Sequence, residues 1–183
     1  MDPLVMATLV LASSGKAEEV LRKKLKELEL LGLVEDGRIT TKGEELLRAL
    51  ISEKLTLAGT VVSGEGEGKY FLSLEGYRKQ IEEKMGFSPY PGTLNVLLDP
   101  ESAERRLLMY FKRPITLKGF EENGRRFGEV LTYPAKINDF WPAAIVVPLK
   151  THHPPEIVEV IAPVNLRKEL SLKNGDKVKI IVF

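Results

Sequence analysis

Three groups of residues have the types and spacing for chemistry. The first is Gly64-Glu65-Gly66-Glu67-Gly68-Lys69, within "TVVSGEGEGKYFLSL" from Thr60 to Leu74. Glycine allows backbone conformations that turn successive N–H groups toward one point, and it lets an anion come close. Lys69 adds a point charge suited to a phosphate oxygen. Glu65 and Glu67 repel an anion unless they face solvent or a divalent cation offsets them. The segment is not a Walker A loop, which needs four residues between its first Gly and its Gly-Lys pair, then Ser or Thr, then a helix. It does not fit the dinucleotide fingerprint either, because "YFLSL" reads as a strand and no helix is expected at the third glycine. Taken alone, a flexible hairpin is the simpler reading.

The second group is Thr93 and Asn95, in "GFSPYPGTLNVLLD". Alternate side chains of a strand share a face. Leu94, Val96 and Leu98 therefore point into a core, and Thr93 and Asn95 point the other way together. A hydroxyl and an amide oxygen at i and i+2 are two hard, neutral ligands on one rigid element. Mg²⁺ takes few protein ligands when substrate phosphates supply the rest. The competing reading is a Thr-Asn pair on a solvated strand face. The third group is His152 and His153 in "KTHHPPE". Adjacent side chains on an extended segment face opposite ways, so these two are not expected to share one ion with Glu156.

These residues must be held by a fold that the rest of the chain specifies. The chain has 183 residues, of which 43% are hydrophobic, ample for a buried core in one medium or two small domains. A formal charge of +1 gives no bulk attraction to nucleic acid or an anionic membrane, so an anion site has to be built locally. Cysteine is absent, which excludes disulfides, thiolate metal sites and cysteine nucleophiles. No apolar run approaches the roughly 20 residues that span a bilayer. The opening "MDPLVMATLVLASSG" lacks the basic start of a signal peptide and is expected to form a buried first helix of a cytoplasmic protein.

Residues 1–55 read as helical. "AEEVLRKKLKELELLGLVEDG" places Val20, Leu21, Leu25, Leu28 and Leu31 near one stripe, with Gly32 as a stop. A short strand, a turn at Asp36-Gly37, a second strand and a helix from near Thr41 should follow. This order resembles a winged helix. The segment carries nine Lys/Arg against ten Asp/Glu, a net of −1, and DNA binding rests on clustered positive charge. Packing or dimerisation is thus favoured over DNA binding. From residue 56 the pattern changes to short β-branched runs, with strands expected over 56–63, 70–74, 93–98, 115–120, 127–133, 144–148, 157–161 and 177–183. Turn signals stand at Asn123-Gly124, Asn138-Asp139 and Asn174-Gly175-Asp176. One helix is expected in "LEGYRKQIEEKMGF", with Tyr77, Ile81 and Met85 on its apolar stripe, and a short one in "NLRKELSL". Many short strands at this spacing indicate a barrel or sandwich.

Taken in order, "SGEGEGKYFLSL", "GFSPYPGTLN" and "AIVVPLKTHHPPEIVEVIAPVNLR" resemble the archaeal CTP-dependent riboflavin kinase family, over essentially all of residues 57–183. The resemblance implies transfer of the γ-phosphate of CTP to riboflavin, giving FMN and CDP. It implies an α+β chain: a small winged-helix-like domain over 1–55, then a six-stranded cradle-loop β-barrel over 56–183. It further implies that Gly64, Glu65, Gly66, Glu67, Gly68 and Lys69 line the CTP phosphates and that Thr93 and Asn95 hold Mg²⁺. Val164, Asn165, Leu166 and Arg167 are then expected to contact the nucleotide around its base, and Thr151 and Glu159 the flavin. Phe71, Phe87 and Tyr90 are candidate walls for the flavin rings, and no residue is singled out as a general base. The rival expectation is a flavin-sensing transcriptional regulator without catalysis, which does not need paired metal ligands beside the glycine segment.

Overall fold

The computed structural model describes residues 17–52, 54–64, 66–149 and 156–183. The expected opening helix, Glu65, Thr151, His152 and His153 lie outside the described residues. The chain divides into two compact units, Met1–Glu53 and Lys54–Phe183.

In the first unit, α1 (Ala17–Leu30) is followed by β1 (Val34–Glu35), β2 (Arg38–Ile39) and α2 (Thr41–Ser52). Helix α1 stops where expected. Gly32 takes φ 67°, and the Leu33 N–H donates back to the Leu28 carbonyl at 2.9 Å, closing the helix end as a left-handed glycine does. Asp36 and Gly37, both at positive φ, form the two-residue turn between β1 and β2. Thr40 starts α2 by accepting from the Gly43 N–H at 3.1 Å. Leu25, Leu28 and Leu31 of the expected stripe are exposed. The described part of this unit is thus a helix, a small hairpin and a helix.

The second unit is built on a large antiparallel sheet that closes on itself. Its strands are β3 (Leu55–Val62), β4 (Leu94–Leu98), β8 (Val130–Ile137), β9 (Phe140–Pro148), β10 (Ile157–Ile161) and β11 (Lys177–Val182). Around the ring the order is β11, β3, β4, β10, β9, β8, and β8 pairs with β11 again through Ile137↔Ile180 to Ala135↔Val182. A shorter strand, β5 (Ile115–Leu117), pairs with the first part of β8, and β6 (Phe120–Glu122) and β7 (Arg125–Phe127) form a separate hairpin. Strand β3 shows why a ring forms: its burial alternates residue by residue, with Leu55, Leu57 and Val61 turned inward. The inward residues of all six strands, among them Val96, Tyr133, Ile145, Val158 and Ile180, make one core. At about 25 cal/mol per Å² of apolar surface, that burial is the main favourable contribution to this unit.

A second core lies on the outer face of β9 and β10, where Ala144 and Ile161 meet Leu72, Leu74, Tyr77, Ile81 and Phe87. Those residues come from α3 (Glu67–Ser73), α4 (Glu75–Met85) and the segment after them. Helix α4 is the expected one, with Tyr77 and Ile81 buried and Gly86 at φ 77° as its C-cap. Helix α3 corrects the sequence reading, which has a strand over 70–74. The alternation of Leu72 and Leu74 imitates a strand period, but only Leu72 lies in the helix. Leu74 is the extended residue (φ −67°, ψ 128°) at the junction that caps both helices. Helix α5 (Pro100–Arg105) and the 3₁₀ segment Arg106–Phe111 also appear where no element is expected. The strand expected over 115–120 divides into β5 and β6, and that over 127–133 moves to β8. At Asn123-Gly124 both residues take positive φ, as the turn signal requires. Among the described residues no helix is long and apolar enough to cross a membrane.

Candidate functional site

Strand β4 sorts its residues as its alternation demands. Leu94, Val96 and Leu98 are buried in the ring core, and Thr93 and Asn95 turn outward. The outer face here is not solvated, however, and Asn95 is only 6% exposed. Its cover is the glycine segment. A Cβ on Gly64 would overlap the Asn95 side-chain amide, and one on Gly68 would come within 2.8 Å of the Thr93 hydroxyl oxygen. Glycine is therefore required at 64 and 68 by closeness. At Gly66 the requirement is conformational: φ is 84° and a Cβ would meet nothing within 4 Å. This seating brings two sequence motifs together.

Strand pairing brings the third. Asn95 stands opposite Val62 on one side and Glu159 of β10 on the other. The Thr93 hydroxyl donates to Glu159 Oε1 at 2.9 Å, and Asn95 Nδ2 points at Thr93 Oγ1 from 3.4 Å. Asn95 Oδ1 is buried and has no hydrogen-bond partner among the described residues. A buried oxygen left this way costs about 1–3 kcal/mol and needs an explanation such as a bound ion. Thr93 keeps lone-pair capacity while its proton is directed at Glu159, an arrangement that fixes a hydroxyl as a ligand. Asn95 turns Nδ2 toward Thr93 as it stands, and with its amide turned over these neighbouring side chains offer two hard oxygens, a donor set that fits Mg²⁺ where phosphate and water complete the shell. No group of three or more His, Asp or Glu side chains is placed to hold a metal among the described residues.

Two adjoining clefts open here. One, of about 180 Å³, is lined by the described residues of the glycine segment, Glu67 and Lys69 among them, together with Thr93, Asn95 and Glu159. The other, of about 200 Å³, shares Gly92 and Thr93 with it and is lined by Tyr90, Ala162 and the run Val164, Asn165, Leu166 and Arg167. Apart from Phe71 and Phe87, the described residues expected to touch nucleotide, metal or flavin line one of two adjoining clefts.

Several details differ from the expectation. Asn165 Oδ1 accepts from the Lys168 N–H at 3.1 Å and so caps α6 (Leu166–Glu169), which leaves its amide hydrogens for a ligand. Arg167 Nη2 donates to the Val62 carbonyl at 2.7 Å and to Asn174 Oδ1 at 2.9 Å, so this nitrogen is committed within the protein. Of the three candidate flavin walls, Phe87 is buried in the second core and Phe71 packs against it. Tyr90 lines the cleft with Val164–Arg167. Sequence reasoning does not single out the Asn174 Nδ2 donation to Ser63 Oγ at 2.7 Å, just before the glycine segment. Asn174 stands out in the sequence only as part of a turn, and Ser63 carries no signal.

Residues 61–182 match the family model CTP-dep_RFKase, described as "Domain of unknown function DUF120". The riboflavin kinase of Ignicoccus hospitalis is 56% identical over 180 residues, covering 98% of this chain and 100% of that protein. The riboflavin kinase of Archaeoglobus fulgidus is 44% identical over 186 residues, covering 92% of this chain and 79% of the relative. That of Saccharolobus solfataricus is 43% identical over 162 residues, covering 86% and 93%.

Proposed function

This chain belongs to the CTP-dependent riboflavin kinase family, and from that premise we propose how its residues transfer the γ-phosphate of CTP to the riboflavin 5′-hydroxyl, giving FMN and CDP. The observation that carries the assignment of roles is the glycine segment seated on Thr93 and Asn95, with the unanswered Asn95 Oδ1 beneath it. The described residues of the segment, Gly64, Gly66, Glu67, Gly68 and Lys69, receive the phosphates. Backbone N–H groups and the Lys69 ammonium lie where charge builds up as the phosphoryl group moves. Thr93 and Asn95 would hold Mg²⁺, and the ion would supply neutralisation of phosphate charge. Glu159 reaches this point from β10 and orients the flavin chain, and Thr151 belongs to the same flavin site. Phosphoryl transfer asks little covalent chemistry of a protein, so holding the hydroxyl in line with the γ-phosphorus is the main task.

The cleft lined by Tyr90 and Val164–Arg167 takes the base. Because Asn165 Oδ1 is used as a helix cap, Asn165 meets cytosine through its Nδ2 hydrogens, which suit the O2 and N3 acceptors. Backbone carbonyls take the cytosine amino group. Uracil reverses the pattern at two positions and leaves groups unpaired at roughly 1–3 kcal/mol each. We read the six-stranded ring as the cradle-loop barrel, residues 1–55 as a winged-helix-like domain, and the enzyme as a cytoplasmic protein acting on small molecules.

The test is donor choice. Protein, riboflavin and Mg²⁺ are incubated with CTP, ATP, GTP or UTP separately, and FMN is followed by chromatography. CTP should be the best donor. FMN formed best from ATP would remove the base assignment, and no FMN from any donor would overturn the kinase itself.

A further inference from the structure

The turn that leads into β11 holds the root of the glycine segment. Gly175 N–H donates to the Val61 carbonyl at 2.9 Å, and Val61 N–H donates to the Asp176 carbonyl at 2.9 Å. The turn is closed on itself by Asp176 Oδ2, which accepts from the Lys173 N–H at 2.7 Å. Asn174 therefore has no part in closing it. Nor does it take positive φ, the backbone reason for asparagine in a turn, since Gly175 supplies that conformation at φ 93°. Its side chain reaches outward instead. Nδ2 donates to Ser63 Oγ at 2.7 Å, and Oδ1 accepts from Arg167 Nη2 at 2.9 Å. The same Arg167 nitrogen donates to the Val62 carbonyl at 2.7 Å.

We propose that Asn174 is a positioning residue for the nucleotide, clipping Ser63, the residue just before the phosphate-binding segment, to Arg167 at the base-binding segment. The proposal rests on the functional reading above. Ser63 immediately precedes Gly64, which must sit against Asn95 with no room for a Cβ. A run of alternating glycines loses much backbone freedom when ordered, and that loss weakens binding unless the segment is held beforehand. The triangle of Val62–Ser63, Asn174 and Arg167 holds it at its root. It also joins the two clefts, so that phosphates and base meet walls set at a fixed separation.

The experiment compares Asn174→Ala, Ser63→Ala and the double variant for CTP and riboflavin KM, with amide exchange of residues 63–69 in the nucleotide-free proteins. Each single variant should raise the CTP KM about threefold to tenfold, the span of one or two ordinary hydrogen bonds. Riboflavin KM should not change, and the melting temperature should fall by no more than a few degrees. The double variant should be no worse than Asn174→Ala alone, because Ser63→Ala removes only a contact that Asn174→Ala already removes. Exchange at 63–69 should quicken. Wild-type CTP KM in both variants, or effects that add, would overturn the clip. If even the wild type makes no FMN, the functional reading fails, and unchanged amide exchange would then overturn the clip separately. Should Asn174→Ala lose its cooperative melt, Ser63→Ala leaves the turn whole and carries the same comparison.

Discussion

Asn95 holds a buried carbonyl oxygen that the protein itself does not answer. In a site made for a cation this oxygen destabilises the empty protein and is satisfied on binding. Replacing Asn95 by Leu should therefore leave the melting temperature of the ligand-free protein unchanged or raise it. Turnover should fall about tenfold or more, roughly 1.4 kcal/mol of transition-state stabilisation. Thr93→Ala should cost activity similarly, since it removes the donor to Glu159 and the second oxygen proposed for the ion. Melts with and without Mg²⁺ and CTP, beside steady-state rates, check both. Unchanged turnover in both variants at limiting Mg²⁺ would take Thr93 and Asn95 out of the site.

The glycine segment and strand β4 act as a pair of elements, one seated on the other, and two glycines probe that seating differently. Gly64→Ala must displace either the segment or the Asn95 amide beneath it, so CTP-dependent turnover should fall at least about tenfold. Gly66→Ala meets open space and carries only the strain of a left-handed residue, about 1–2 kcal/mol. Its turnover loss should be clearly smaller. Equal losses would mean that the segment does not stay on β4 when nucleotide binds. Much of this site is legible in the sequence. The period of two in "GTLNVLL" puts Thr93 and Asn95 on one face, and the glycines announce a close approach. What periodicity does not show is which other strand lies beside β4. Glu159 meets Thr93 through a pairing set by the whole sheet, across 66 positions. Helix α3 is hidden because Leu72 and Leu74, both packed in the second core, alternate like strand residues. Asn174 is disguised by its place in a good turn sequence.

For the whole molecule, every strand of the ring and both clefts lie within Lys54–Phe183. A protein beginning at Lys54 keeps Leu55 paired with Val182. It should melt cooperatively and form FMN at a rate within about twofold of the full chain, a difference of well under 1 kcal/mol. Circular dichroism and the chromatographic assay test this together. A cooperative melt without activity would show that residues 1–53 complete the enzyme. The ring also has a consequence for how the protein is made. Strand β3 is the first ring strand to leave the ribosome, and one of its two edges is completed by β11, the last. Such pairing of distant segments is slow to form. Until β11 emerges, the nascent chain presents an apolar strand with one bare edge, a surface on which chaperones act. The turn before β11 also braces the root of the glycine segment. If that segment receives the phosphates, as proposed, CTP capture waits until β11 has emerged and the ring shuts.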